Sequence, residues 1–154
     1  MNNVNYLINK TNRPIYNFDI EPCFVEQAAM TDIPLLGWVA AGVPVDLFEN
    51  QESISVPTNM VLKNSYALRV RGESMIDDNI QDGDVIVIQK RESAENGQSV
   101  IAMINGEQVT LKKFYVEREG IRLQPANPNM EAIYLRNEDV QILGIVTGVI
   151  RSLN

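Results

Sequence analysis

Apolar residues recur along this chain in short runs and alternations, not at helical spacing. Tyr66, Leu68 and Val70 alternate with Ala67, Arg69 and Arg71, which predicts a strand over 66–71. Val85-Ile86-Val87-Ile88 is a continuous apolar run of strand length, and Val100-Ile101-Ala102-Met103-Ile104 is another. Asn105-Gly106 follows the second run. That pair supplies the positive φ angles of a two-residue hairpin turn, so 108–116 is expected to return as an antiparallel partner. A second turn near Glu119-Gly120 leads into a strand over 121–124, and Pro125 and Asn127-Pro128 then break the chain into a loop. The stretch 140–150 is apolar with Gly144 and Gly148 set into it, which predicts a bent or bulged strand. Residues 57–62 read as a single helical turn, and 74–80 as a short helix with Met75 and Ile80 as its apolar contacts. Nearer the start, Tyr16, Phe18 and Ile20 alternate with Asn17 and Asp19 as in a short strand or extended arm, and 24–30 has room for two helical turns. Many short strands separated by turns predict an all-β fold, twisted and partly barrel-like, with one or two short helices.

Composition narrows the chemistry. The 154 residues suffice for one ordinary domain, and 45% of them are hydrophobic, enough for a real core. The net charge of -7 argues against a surface that holds nucleic acid through its phosphates. The first 33 residues also lack two amphipathic helices joined by a tight turn, so they are a poor DNA reader. Histidine is absent, which excludes Ser-His-Asp and Cys-His catalysis and zinc sites built on histidine. Cys23 is the single cysteine, so no intrachain disulfide can form. No apolar run approaches the roughly 20 residues of a membrane span, and residues 1–5 lack the features of a signal peptide. The expected compartment is the cytosol, and Asn9-Lys10-Thr11 reads as an accidental glycosylation sequon. A calcium loop over 78–89 fails at Ile80 and Gln89, and no metal or cofactor is implied.

Two features carry candidate chemistry. Gly72-Glu73-Ser74-Met75 follows a predicted strand, a junction that serves either a capping serine or a nucleophile beside free backbone N–H groups. Without histidine, a serine nucleophile needs another base, and a buried lysine qualifies because desolvation favours its neutral form. Lys112 and Lys113 are adjacent on the predicted 108–116 strand, so their side chains point to opposite faces. Such a pair either protects a sheet edge or turns one amine inward. A third stretch, 33–44, is apolar and bracketed by Pro34 and Pro44, with Ala40-Ala41-Gly42 in place of good strand formers. It reads as a buried strand with a turn, or as a segment able to thread a narrow cleft.

Four segments in order resemble the LexA and UmuD group of self-cleaving proteins, the S24 serine peptidases. Pro34-Leu35-Leu36-Gly37-Trp38-Val39-Ala40-Ala41-Gly42-Val43-Pro44 is similar to the family's cleavage segment, and Arg71-Gly72-Glu73-Ser74-Met75 to its nucleophile motif. Glu107-Gln108-Val109-Thr110-Leu111-Lys112-Lys113-Phe114 is similar to the strand bearing the basic lysine, and Gly144-Ile145-Val146-Thr147-Gly148-Val149-Ile150-Arg151 to the last strand. The resemblance implies Ser74 as nucleophile, Lys112 as general base, Ala41-Gly42 as the bond cut, and the backbone N–H groups of Glu73 and Ser74 as the oxyanion site. It also implies a homodimer formed through 140–150 and stimulation of cleavage by RecA filaments on single-stranded DNA. It divides the chain into an arm (1–33), a cleavage segment (34–44) and a peptidase and dimerisation domain (45–154). The short acidic arm resembles UmuD, which implies first of all an SOS-response accessory factor of error-prone translesion DNA synthesis, with an error-prone DNA polymerase as a partner. The Ala-Gly bond resembles the repressors, which would make the chain a regulatory module without its DNA-binding domain. A non-catalytic β-domain that binds a partner is a third reading.

Overall fold

The computed structural model describes residues 29–40 and 46–153. The expected strand at 16–20, nearly all of the helical reading over 24–30, Cys23, Ala41 and Gly42 lie outside the described residues. Among the described residues nine strands form one sheet: β1 (Met30–Ala40), β2 (Asp46–Pro57), β3 (Ser65–Arg71), β4 (Val85–Gln89), β5 (Ser99–Ile104), β6 (Gln108–Glu117), β7 (Gly120–Gln124), β8 (Ile133–Leu135) and β9 (Val140–Ile150). Their order is β2-β1-β3-β4-β9-β5-β6-β7-β8. Every neighbouring pair is antiparallel except β1 and β3, which run parallel. The all-β expectation is borne out, and no helix among the described residues is long and apolar enough to cross a membrane.

The sheet coils without closing. β1 and β6 stand five places apart in the order, roughly 24 Å in a flat sheet at ~4.8 Å per strand. They nevertheless touch. One buried cluster gathers Val39 of β1, Leu68 and Val70 of β3, Ile86 and Ile88 of β4, Ile101 of β5, and Val109 and Leu111 of β6. The sheet therefore wraps around a shared interior, which is the partly barrel-like element of the sequence expectation. Two further clusters cover the rest. One joins Ile33, Leu35, Val56, Ala67, Val85 and Val87, and the other joins Val100, Ala102, Phe114, Leu123 and Ile142. Strands β4 and β5 have apolar side chains in more than one cluster, which is why they read as continuous apolar runs in the sequence.

Turn chemistry sets the local registers. Asn105 and Gly106 adopt φ values of 52° and 71°, and the Glu107 N–H closes the turn on the Ile104 carbonyl at 3.1 Å, so that three residues, 105–107, connect β5 to β6, which pair from Ile104↔Gln108 to Ser99↔Lys113. β9 bends as expected. Its register slips once against β5 and once against β4, beside Gly144 and Gly148. At Gly144 a Cβ would stand 2.6 Å from the Gln89 carbonyl oxygen and 3.1 Å from the Tyr66 hydroxyl, so only glycine lets β9 cross there.

The stretch 74–80 differs from expectation. It contains one 3₁₀ turn, Ile76–Asp78, in place of a short helix. Asn79 takes a left-handed conformation (φ 59°), and the Ile80 N–H turns back to the Met75 carbonyl at 3.2 Å. Burial of Met75 and Ile80 on the shared interior closes this loop before a second helical turn can form. β2 was not anticipated as a strand. Of its side chains from Glu49 onward, only Val56 is fully buried, so this edge strand carries little apolar signal.

Candidate active site

Ser74 is placed by a turn that is tied at several points. β3 ends at Arg71, and Gly72 follows with φ 87°, a conformation that reverses the chain without Cβ strain. The Gly72 N–H donates to Asp82 Oδ1 at 2.8 Å. The Asn127 side-chain amide donates to the Glu73 carbonyl at 2.8 Å, and the Asp77 N–H donates to the Ala126 carbonyl at 2.7 Å. Ser74 is 8% exposed, and Met75 beside it is buried in the shared interior. The loop 125–130 thus backs the turn from behind, a contact that the sequence reading did not foresee.

The two lysines part as strand alternation requires. Lys112 is 2% exposed, and its Nζ donates to Thr110 Oγ1 at 2.9 Å and to the Leu111 carbonyl at 3.0 Å. Burial lowers its pKa from 10.5 to about 8. A near-neutral amine so placed can act as a base close to physiological pH. Lys113 lies on the opposite face and forms a half-exposed ion pair with Asp78 at 3.1 Å. That pair joins the Ser74 turn to β6. Lys112 lies on a cleft wall with Ile104, Gln108, Thr110, Met130, Glu131 and Ile133. Its hydrogen bonds stay within β6, and among the described residues none joins it to Ser74.

The strand leading to Ala41 runs beside the strand leading to Ser74. Parallel pairing of β1 with β3 sets Trp38 opposite Arg69, Val39 opposite Val70 and Ala40 opposite Arg71. Both strands therefore end at the same edge of the sheet. Antiparallel pairing would have sent them to opposite edges. Trp38 adds a side-chain tie, with the Arg71 guanidinium 4.3 Å and that of Arg69 5.9 Å from its ring centre. Val39, Met75 and Leu111 share one buried cluster, so the three candidate segments converge on one piece of core.

A profile of the family described as Peptidase S24-like matches residues 34–147. The chain belongs to this family. The S24-like match takes in β1 from Pro34 onward, the Ser74 turn and β6 together. Among curated relatives, the LexA repressors of Syntrophobacter fumaroxidans and Clostridioides difficile are 45% identical over 121 residues and 47% identical over 122 residues. Each match covers 78% of this chain and 58% of the relative. The LexA repressor of Roseiflexus sp. is 42% identical over 154 residues, covering 94% of this chain and 71% of the relative. The chain thus spans a little under three fifths of the length of the first two relatives. The S24 resemblance read from the four sequence segments is borne out.

Proposed function

We propose that this chain is the self-cleaving regulatory module of a LexA-type protein, and that it cuts its own Ala41-Gly42 bond with Ser74 and Lys112. The observation that carries the reading is the parallel pairing of β1 with β3, with Ala40 opposite Arg71. One residue past Ala40 comes the scissile bond, and three past Arg71 comes the nucleophile. The LexA repressors among its relatives support the same reading.

In the proposed reaction Lys112 Nζ, neutral, turns from Thr110 and takes the Ser74 proton as Oγ attacks the Ala41 carbonyl carbon. The oxyanion that forms is held by the backbone N–H groups of Glu73 and Ser74. Collapse breaks the Ala41–Gly42 bond. The leaving Gly42 amine takes the proton from Lys112, and Ala41 stays esterified to Ser74 until water hydrolyses it. Because substrate and nucleophile share one chain, tethering can supply about 7–11 kcal/mol of the barrier reduction. RecA filaments on single-stranded DNA would act as a population shift toward the arrangement in which Lys112 faces Ser74. A homodimer through β9 and cytosolic location complete this reading. The domain division stands in the same way, with an arm over 1–33, a cleavage segment over 34–44 and a peptidase and dimerisation domain over 45–154.

The acidic composition of residues 1–33 favours a second reading, a UmuD-type factor that serves an error-prone DNA polymerase. One experiment tests the first reading and separates it from a non-catalytic β-domain. The purified chain is incubated with activated RecA filaments and its fragments are weighed. Two fragments divided between Ala41 and Gly42, absent from Ser74→Ala, are expected. An intact chain under these conditions, or a cut elsewhere, overturns the assignment.

A further inference from the structure

The turn that presents Ser74 is held from outside by the residue directly after β9. Arg151 Nε donates to Asp84 Oδ1 and its Nη2 to Asp84 Oδ2, each at 2.7 Å. The same Nη2 donates to the Asn79 carbonyl at 2.9 Å, and Nη1 reaches Asn79 Oδ1 at 3.4 Å. Asp84 is only 1% exposed and also accepts the Gln81 N–H at 2.8 Å. The ion pair holds the Asp84 carboxyl below the usual carboxylate range. Two residues back, Asp82 accepts the Gly72 N–H, while the Val70 N–H donates to the Asp84 carbonyl at 2.8 Å and the Gly83 N–H to the Val70 carbonyl at 2.7 Å. Both limbs of the turn therefore meet at 82–84. The limb before Ser74 is tied through Gly72, and the limb after it through Asn79 and Arg151.

We propose that Arg151 is a positioning residue for self-cleavage. By bridging Asp84 and Asn79 with one planar guanidinium, it fixes the turn on which the Ser74 hydroxyl is aimed. This deepens the Ser74 reading and rests on it. The geometry needs a fork. Three oxygens on two residues lie within 3 Å of one side chain, an arrangement that a lysine ammonium matches poorly. Misplacement of a nucleophile by about 1 Å can cost roughly a hundredfold in rate. Arg151 does not touch the reacting atoms, so its loss should lower the rate without changing the base.

The test compares the full-length wild type with Arg151→Lys, Arg151→Ala and Ser74→Ala. Self-cleavage is followed by intact mass across alkaline pH, melting by circular dichroism, and exchange of backbone amides over 72–84. Arg151→Lys is expected to melt cooperatively and to cleave at least about tenfold more slowly at the alkaline plateau, with an unchanged pH midpoint. Its amides over 72–84 should exchange faster while those of β5 and β6 stay protected. Arg151→Ala should regain part of the rate when guanidinium is added below denaturing concentration. If that variant does not fold, Arg151→Lys decides. Cleavage by folded Arg151→Lys within about twofold of wild type overturns the proposal, and so does a loss explained by a shifted pH midpoint. Cleavage by wild type but not by Ser74→Ala keeps the Ser74 reading standing in either case. Absence of cleavage in wild type overturns that reading and this proposal together.

Discussion

The two halves of the sheet are built on different principles. β5, β6 and β7 are sequential antiparallel neighbours joined by turns of three and two residues, and their register follows from local chemistry at Asn105-Gly106 and Arg118-Glu119. β1 and β3 are parallel, and the chain between them is an entire additional strand, β2. Nothing local forces that pairing. It is stabilised by Ile33, Leu35 and Ala67 in one cluster, by the Trp38 ring against Arg71, and by the ties of Asp82, Asp84 and Arg151 beyond β3. The proposed base sits in the local half, and the proposed nucleophile and the strand that precedes the proposed scissile bond in the long-range half. A rigid hairpin that carries a buried amine, set against a segment whose docking depends on distant contacts, is an arrangement in which cleavage can be regulated without altering the chemistry.

The sharpest way to break this comparison acts on the local half. Lys112→Met should abolish self-cleavage and also stabilise the fold, because it removes a buried amine. The folded pKa of about 8 lies below the ordinary 10.5, so the unfolded chain binds more protons between those values. The native protein is therefore penalised below about pH 8 and recovers as pH rises toward 10.5. At neutral pH the variant should gain up to about 3 kcal/mol, less the lost hydrogen bonds, and the gain should shrink in alkali. Urea unfolding at neutral and alkaline pH measures it. A neutral or negative effect at both would mean that Lys112 is not strained.

Gly144→Ala strikes the crossing of β9 over β4 and should destabilise the domain by about 1–3 kcal/mol, seen as a lower denaturation midpoint. Gly106→Ala forces a side chain into the left-handed hairpin turn and should cost about 1–2 kcal/mol. Amide exchange should locate that loss in β5 and β6, with β1 and β3 nearly unaffected, if the halves are as separable as described. The smallest effect is expected for Lys113→Ala. It removes a half-exposed ion pair with Asp78, so stability should change by less than about 1 kcal/mol and the cleavage rate by less than about fivefold.

What was legible in the sequence follows the same division. Asn105-Gly106, the apolar runs of β4 and β5, and the glycines of β9 encode structure within a few residues, and the strands they predict are present. Adjacent lysines on a strand had to part, and Lys112 is the one that turns inward. β2 escaped notice because an edge strand has one face in water and Glu49, Asn50, Gln51, Glu52 and Ser53 give it no alternation. The 3₁₀ turn after Ser74 was read as helix because the burial of Ile80, a tertiary effect, ends it. Parallel pairing of β1 with β3 has no sequence period of its own. Arg151 was visible only as the basic residue that ends the segment similar to the family's last strand, and its bridge to Asp84 and Asn79 joins positions 67 and 72 residues apart that meet only in the fold.

The most direct test of the central claim is the pH profile of fragment formation by the wild-type chain, followed by intact mass from neutral to strongly alkaline pH. The account predicts fragments divided between Ala41 and Gly42, with a rate that rises with pH and levels off above the Lys112 pKa of about 8. A rate that is flat across that range, or a profile unchanged in Lys112→Ala, would contradict it.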